Sequence, residues 1–170
     1  MSEPLDRYIF GPDQQCFGCG PHNHGGLRLT FTRDAEEVTV RWMPAAPYEG
    51  PPGLLHGGIQ STLADELAAW TVIGLRGLMG LTSSLQLRFV RGVRLGVELE
   101  GRGRIVSEVG AVVTVETKFT QEGEAVFGGR VSFRLMDVEG AERALGSALP
   151  EAWRRFCKPL PSGEGAGGGT

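Results

Sequence analysis

The chain has 170 residues, 41% of them hydrophobic and 22% charged, an ordinary balance for a folded domain with a real core. A net charge of −3, with basic residues scattered rather than grouped, argues against nucleic acid or an anionic membrane as partner. No apolar run reaches membrane-span length, the opening MSEPLDRYIFGPDQQ lacks the basic start and apolar core of a leader, and an odd cysteine count of 3 does not suit a disulfide framework, so the expected location is cytoplasmic.

In chain order, residues 1–26 read as an N-terminal extension with a Cys-x-x-Cys turn, and 27–160 as the folded domain. Leu27 to Phe31 (LRLTF) and Glu37 to Trp42 (EVTVRW) alternate in the manner of strands, with Arg33 to Glu36 as a tight turn. Pro44 to Gly53 holds 4 prolines and 2 glycines and must be loop. From Gly57 to Leu75 no proline occurs, nor any glycine between Gly58 and Gly74, which predicts a helix. Its apolar residues (Ile59, Leu63, Leu67, Trp70, Val72, Ile73) spread too widely for one stripe, so it is expected to be buried.

Four further segments alternate as strands: Thr82 to Val90, Val97 to Val106, Ala111 to Thr120 and Ala125 to Met136. Short glycine-bearing turns between them predict a consecutive antiparallel meander. Leu149 to Phe156 predicts a short amphipathic helix with Trp153 and Phe156 packed on the sheet. The tail SGEGAGGGT, from Ser162, reads as a disordered end over residues 161–170. Two strands, one buried helix and four strands make an α+β fold. A flat sheet cannot bury such a helix, whereas a curved sheet wrapped around it can: the hotdog arrangement. The edge strand and outward helix surface that remain predict a two-fold dimer.

The informative segment is Gly53 to Trp70, GLLHGGIQSTLADELAAW. His56-Gly57-Gly58 stands where the helix starts, and helix N-termini present free N–H groups at a positive dipole end. The amide of Gly57 or Gly58 is thus suited to a carbonyl oxygen that gains negative charge. Asp65 lies two turns on, beside Ser61, Thr62, Ala68 and Ala69, the one stripe of small or polar side chains. Such a carboxylate can attack a carbonyl or activate water, although solvent exposure or satisfaction by Ser61 and Thr62 would explain it equally well. Glu66, turned about 100° away toward Ile59, Thr62 and Ile73, ranks second. His56 reads as a positioning residue near the oxyanion site.

HGG followed by LADE at this spacing resembles the motif of the PaaI-like acyl-CoA thioesterases of the hotdog superfamily. CFGCGPHNHGGLRLTF, Cys16 to Phe31, resembles the N-terminal signature of a bacterial branch of that group, so the similarity spans about residues 15 to 136. It implies hydrolysis of an acyl-CoA thioester without a cofactor, by a homodimer or a homotetramer built as a dimer of dimers. By position it implies Gly57 as oxyanion donor and Asp65 as nucleophile or general base. It also implies a hydroxyl from the strand after the helix, supplied by the other subunit; Thr82 matches best, with Ser83 and Ser84 close. Gly58, Ser61, Glu66, Ser83, Ser84 and Arg88 are the expected substrate contacts. Some relatives carry an Asn where this chain has Gly50, for which Tyr48 or Glu49 are the substitutes at hand.

Cys16, Cys19, His22 and His24 have ligand types for zinc, but the His spacing is tight and no second ligand pair follows, so no metal is expected. Arg88, Arg91 and Arg94 suit the phosphates of CoA, though a solvated strand face explains each as well. Cys157 carries no motif. Two other functions fit the same fold: a hydratase or dehydratase with His56 and Asp65 as acid/base pair, and a non-catalytic module binding acyl or aromatic ligands.

Overall fold

A computed structural model describes residues 1–157, so the expected glycine-rich tail lies outside the described residues. The elements are β1 (Glu3–Pro4), β2 (Phe31–Arg33), β3 (Val38–Trp42), α1 (Gly57–Arg76), β4 (Gly80–Phe89), β5 (Leu99–Val109), β6 (Val112–Gln121), β7 (Glu124–Leu135), α2 (Val138–Leu145) and α3 (Glu151–Arg154). The strands form one 7-stranded antiparallel sheet in the order β1-β2-β3-β5-β6-β7-β4. The sheet wraps α1, which packs against β2 through β7: the expected α+β hotdog architecture.

Local chemistry fixes the ends of α1. His56 caps its start by accepting the Gly58 N–H on Nδ1 at 2.9 Å, and Gly77 ends it in the left-handed conformation at φ 62°. Leu63, Leu67, Trp70 and Val72 bury the inward face, with Trp70 stacked on Phe31 at 5.2 Å between ring centroids. Phe119 and Phe127 stack at 4.2 Å within the same core.

Two strand expectations need correction. Only Phe31 of the first predicted strand lies in the sheet, where β2 runs on through Thr32 to Arg33, a residue expected in the turn. Leu27 and Leu29 give their N–H groups to Phe17 O and Gly18 O at 2.8 and 2.9 Å, and Arg28 between them sits at φ 52°. Those leucines therefore fasten the cysteine loop to the core instead of extending β2. Nor do the last four strands run as a simple meander, because β4 pairs with β7 at the far edge while β5 pairs with β3. Residues 90–98, too long a connection for a tight hairpin, cross between them. Val93 is buried there, and its carbonyl accepts the Leu55 N–H at 2.8 Å.

Three further elements escaped the sequence pattern or took a shorter form. Strand β1 extends the sheet from the N-terminal segment. Helix α2 is capped by Asp137, whose side chain accepts the Gly140 N–H at 2.7 Å. The predicted C-terminal helix is a single turn, α3, with Trp153 stacked on Phe10 at 3.9 Å and Phe156 buried beside them.

Candidate active site

Helix α1 and strand β4 bring the two best-matched side chains together. Thr82 Oγ1 donates to Asp65 Oδ1 at 2.8 Å. Ser61 and Thr62 do not compete, since each hydroxyl donates back along the helix, to Gly57 O at 3.0 Å and Gly58 O at 3.1 Å. Asp65 is half-buried, and burial raises its carboxyl above the usual range while the Thr82 hydroxyl draws it partly back. Thr82 reaches Asp65 within one chain.

At the helix start the glycine pair divides its roles. Gly58 N–H is occupied by His56 Nδ1. Gly57 N–H stands at the first helical position, where no intrahelical acceptor exists, and no acceptor among the described residues takes it. It borders an open cleft of about 410 Å³ lined by Leu54, Gln60, Phe89 and Arg91 among others. At 1.5 Å rise per residue, the eight residues from Gly57 to Asp65 span about 12 Å of helix axis. One small carbonyl group cannot touch both within one chain.

The remaining expected contacts scatter. Ser83 Oγ donates to Ser132 O at 3.1 Å. A bulge between Thr82 and Ser84 reverses the alternation of β4. Thr82, opposite buried Phe133, and Leu85, opposite buried Val131, therefore face α1, while Ser84 and Arg88 face the outer side of the sheet. Arg88 is not brought to Asp65. Arg91 and Arg94 pair with Glu124 and Glu122.

Position 50 has a steric explanation. A Cβ on Gly50 would stand 2.9 Å from the His56 Cα, so the loop leaves no room for a side chain there. Neither neighbour substitutes for the missing amide. Tyr48 donates its hydroxyl to Gly26 O at 3.0 Å, and Glu49 accepts the Gly53 N–H at 2.6 Å.

Glu66 occupies a different environment from the one its helical angle suggested. Cys16 Sγ lies 3.0 Å from Glu66 Oε1 in a hydrogen bond. Burial, followed by the adjacent Cys16, pushes the Glu66 carboxyl up to about 8. The neighbouring Cys19 thiol draws Cys16 down to about 5 and is itself raised. This second cluster backs onto the same helix turn as Asp65 without sharing its partners. No spacing in the sequence announces it, because the two contributing segments are 50 residues apart.

These features define a hotdog protein with a carboxylate–hydroxyl pair on the wrapped helix and a free amide at its start. The model of the thioesterase superfamily matches residues 52–128, so the resemblance drawn from the motifs is borne out. A comparison with curated proteins gives no match. Among solved structures, a thioesterase superfamily protein is similar with a TM-score of 0.66 at 23% identity, over 78% of this chain and 66% of its own. A phenylacetic acid degradation-related protein of Ralstonia eutropha JMP134 is similar at 0.59 and 22%, over 64% and 86%. A hypothetical thioesterase protein of Streptococcus pneumoniae TIGR4, solved with coenzyme A, is similar at 0.56 and 24%, over 60% and 82%. Structures of that last protein also exist with an aspartate or a threonine replaced by alanine.

Proposed function

We propose that the protein hydrolyses an acyl-CoA thioester to a free carboxylic acid and CoA. The observation that carries this reading is Asp65, half-buried on α1 and held by Thr82 at 2.8 Å. A carboxylate fixed in this way can take a proton from water or attack the thioester carbonyl itself. The Gly57 N–H would hold the oxygen as it gains charge. The neighbour solved with coenzyme A, and its aspartate and threonine variants, agree with a CoA ester and this pair of residue types.

The reading includes a dimer. Strand β4 is a 10-residue edge, and Leu85 and Phe89 on its helix-facing side are 40% and 51% exposed. An exposed apolar edge of this length invites a second copy. A second copy also answers the separation along α1, since the Gly57 amide of one copy could meet the Asp65 of the other. We place the reaction in the cytosol, where thiols such as Cys16, Cys19 and Cys157 stay reduced.

The test is a thiol-release assay over short, medium, long and aromatic acyl-CoAs, with enoyl-CoAs scored in parallel for loss of the double bond. Thiol release from at least one ester, lowered by about two orders of magnitude or more in Asp65→Asn, is the expected result. Binding without thiol release, or double-bond hydration instead, would overturn the reading.

A further inference from the structure

We propose that Cys16, Cys19 and Glu66 form a binding site for a soft divalent cation, typified by zinc, with two sulfur ligands, one carboxylate oxygen and a fourth position open to the neighbouring cavity. The inference stands apart from the reading of Asp65. The two sulfurs and a Glu66 carboxylate oxygen all lie within 4.8 Å of one another. Zinc bonds of about 2.3 Å to sulfur and about 2.0–2.2 Å to oxygen place tetrahedral ligand atoms roughly 3.5–3.8 Å apart, so small side-chain movements suffice. His22 and His24, which the sequence pattern offered as the other ligands, are not part of the cluster; the His22 ring lies 6.0 Å from Tyr8. Glu66 supplies the third donor.

The surrounding chain is built to hold these groups in place. The cysteine turn closes with Gly20 N–H on Cys16 O at 2.9 Å and is tied to the core through Leu27 and Leu29. At Gly18 a Cβ would stand 2.1 Å from the Glu66 side chain, so only glycine lets the turn close over that carboxyl. A cavity of about 120 Å³ adjoins the three side chains, walled by Phe10, Trp70, Met79 and Phe133 among others, with no Lys, Arg or His in its lining. Three groups able to lose protons thus face an apolar space with no cationic side chain to balance them. A divalent cation would meet no competing positive charge there, and the sulfur donors select zinc over magnesium or calcium. The cavity shares Cys16, Met79, Gly80 and Trp153 with an apolar groove of about 400 Å³, which gives an exogenous fourth ligand a route in.

The experiment uses the untagged full chain, purified under reducing conditions, loaded with zinc sulfate, desalted and assayed for metal by mass spectrometry. About one zinc per chain is expected in the unaltered protein, with at least about tenfold less retained by Cys16→Ser/Cys19→Ser. Since serine in a part-buried cluster could impair folding, the unaltered chain is also titrated with cobalt(II). Thiolate-to-cobalt charge-transfer absorption is expected, and Glu66→Gln should keep that absorption but bind cobalt about tenfold or more weakly. Zinc retention no higher than that of the double variant, or cobalt uptake without the charge-transfer band, would overturn the site.

Discussion

At Asp65 two effects oppose each other. Burial raises the carboxyl above the ordinary value of 3.8, and the hydroxyl of Thr82 lowers it. Burial is the larger, so the acid form persists to higher pH than on an exposed aspartate. If the working form is the carboxylate, kcat/KM should climb with pH through an apparent pKa above 3.8 and level off above it. Thr82→Val removes the lowering contact and leaves the burial, so the acid limb should move to higher pH. A pH–rate profile measures this, and an unmoved limb would detach Thr82 from Asp65. Stability carries the opposite sense. A carboxyl raised by folding contributes stability below its unfolded pKa, and that contribution is lost as pH rises through the folded value. Asp65→Asn, neutral throughout, should therefore melt no lower than the unaltered protein at pH 7 while losing about two orders of magnitude or more in rate. A large fall in melting temperature together with the rate would mark the side chain as structural instead. At His56 the ring is held by the helix start, with Nδ1 accepting the Gly58 N–H.

Strand β4 shows what an element adds to its residues. Without the bulge after Thr82, Ser84 and Arg88 would share a face with the threonine; with it, Leu85 and Phe89 take that face. Leu85→Glu should therefore leave the chain folded but monomeric, with thiol release down by at least about tenfold. Sedimentation velocity with circular dichroism checks this, and an active dimer would remove β4 as the joining edge. The bulge also marks where sequence reading runs out. Helix α1 was legible almost to the residue, because its start at His56-Gly57 and its stop at Gly77 depend on neighbours in sequence. Alternation marked most of the strands, though Leu27 to Leu29 lie outside the sheet and β1 gave no pattern; nor does it name a strand's neighbour, so β4 beside β7 was missed. Asp65 and Thr82 were singled out through the motif and its position, and the fold brings them within hydrogen-bond reach. Glu66 against Cys16 was not, since that contact exists only once the cysteine loop folds over α1. Helix α2 had left its signal: Asp137 at the cap, Gly146 at the end, and an i,i+4 Glu139–Arg143 pair.

For the whole molecule, the number of chains that make one site decides the chemistry. The spacing of about 12 Å between Gly57 and Asp65 along a rigid helix lets them act on the same carbonyl only across two copies. Position 57 permits a clean test. His56 has φ −60° and ψ 136°, the extended conformation that a residue before proline prefers, and nothing lies within 4 Å of a Cβ added at Gly57. Proline at the first helical position is tolerated, and it deletes the N–H. Gly57→Pro should thus fold and dimerise while losing about two to three orders of magnitude in kcat. Mixed dimers then decide the geometry. A Gly57→Pro chain paired with an Asp65→Asn chain keeps one intact amide and one intact carboxylate, on different copies. If a site joins two copies, one of the two sites in each mixed dimer works, and random exchange restores about a quarter of the unaltered activity. If both groups acted from one chain, every site would lack one of them, and mixing the two inactive proteins would restore nothing.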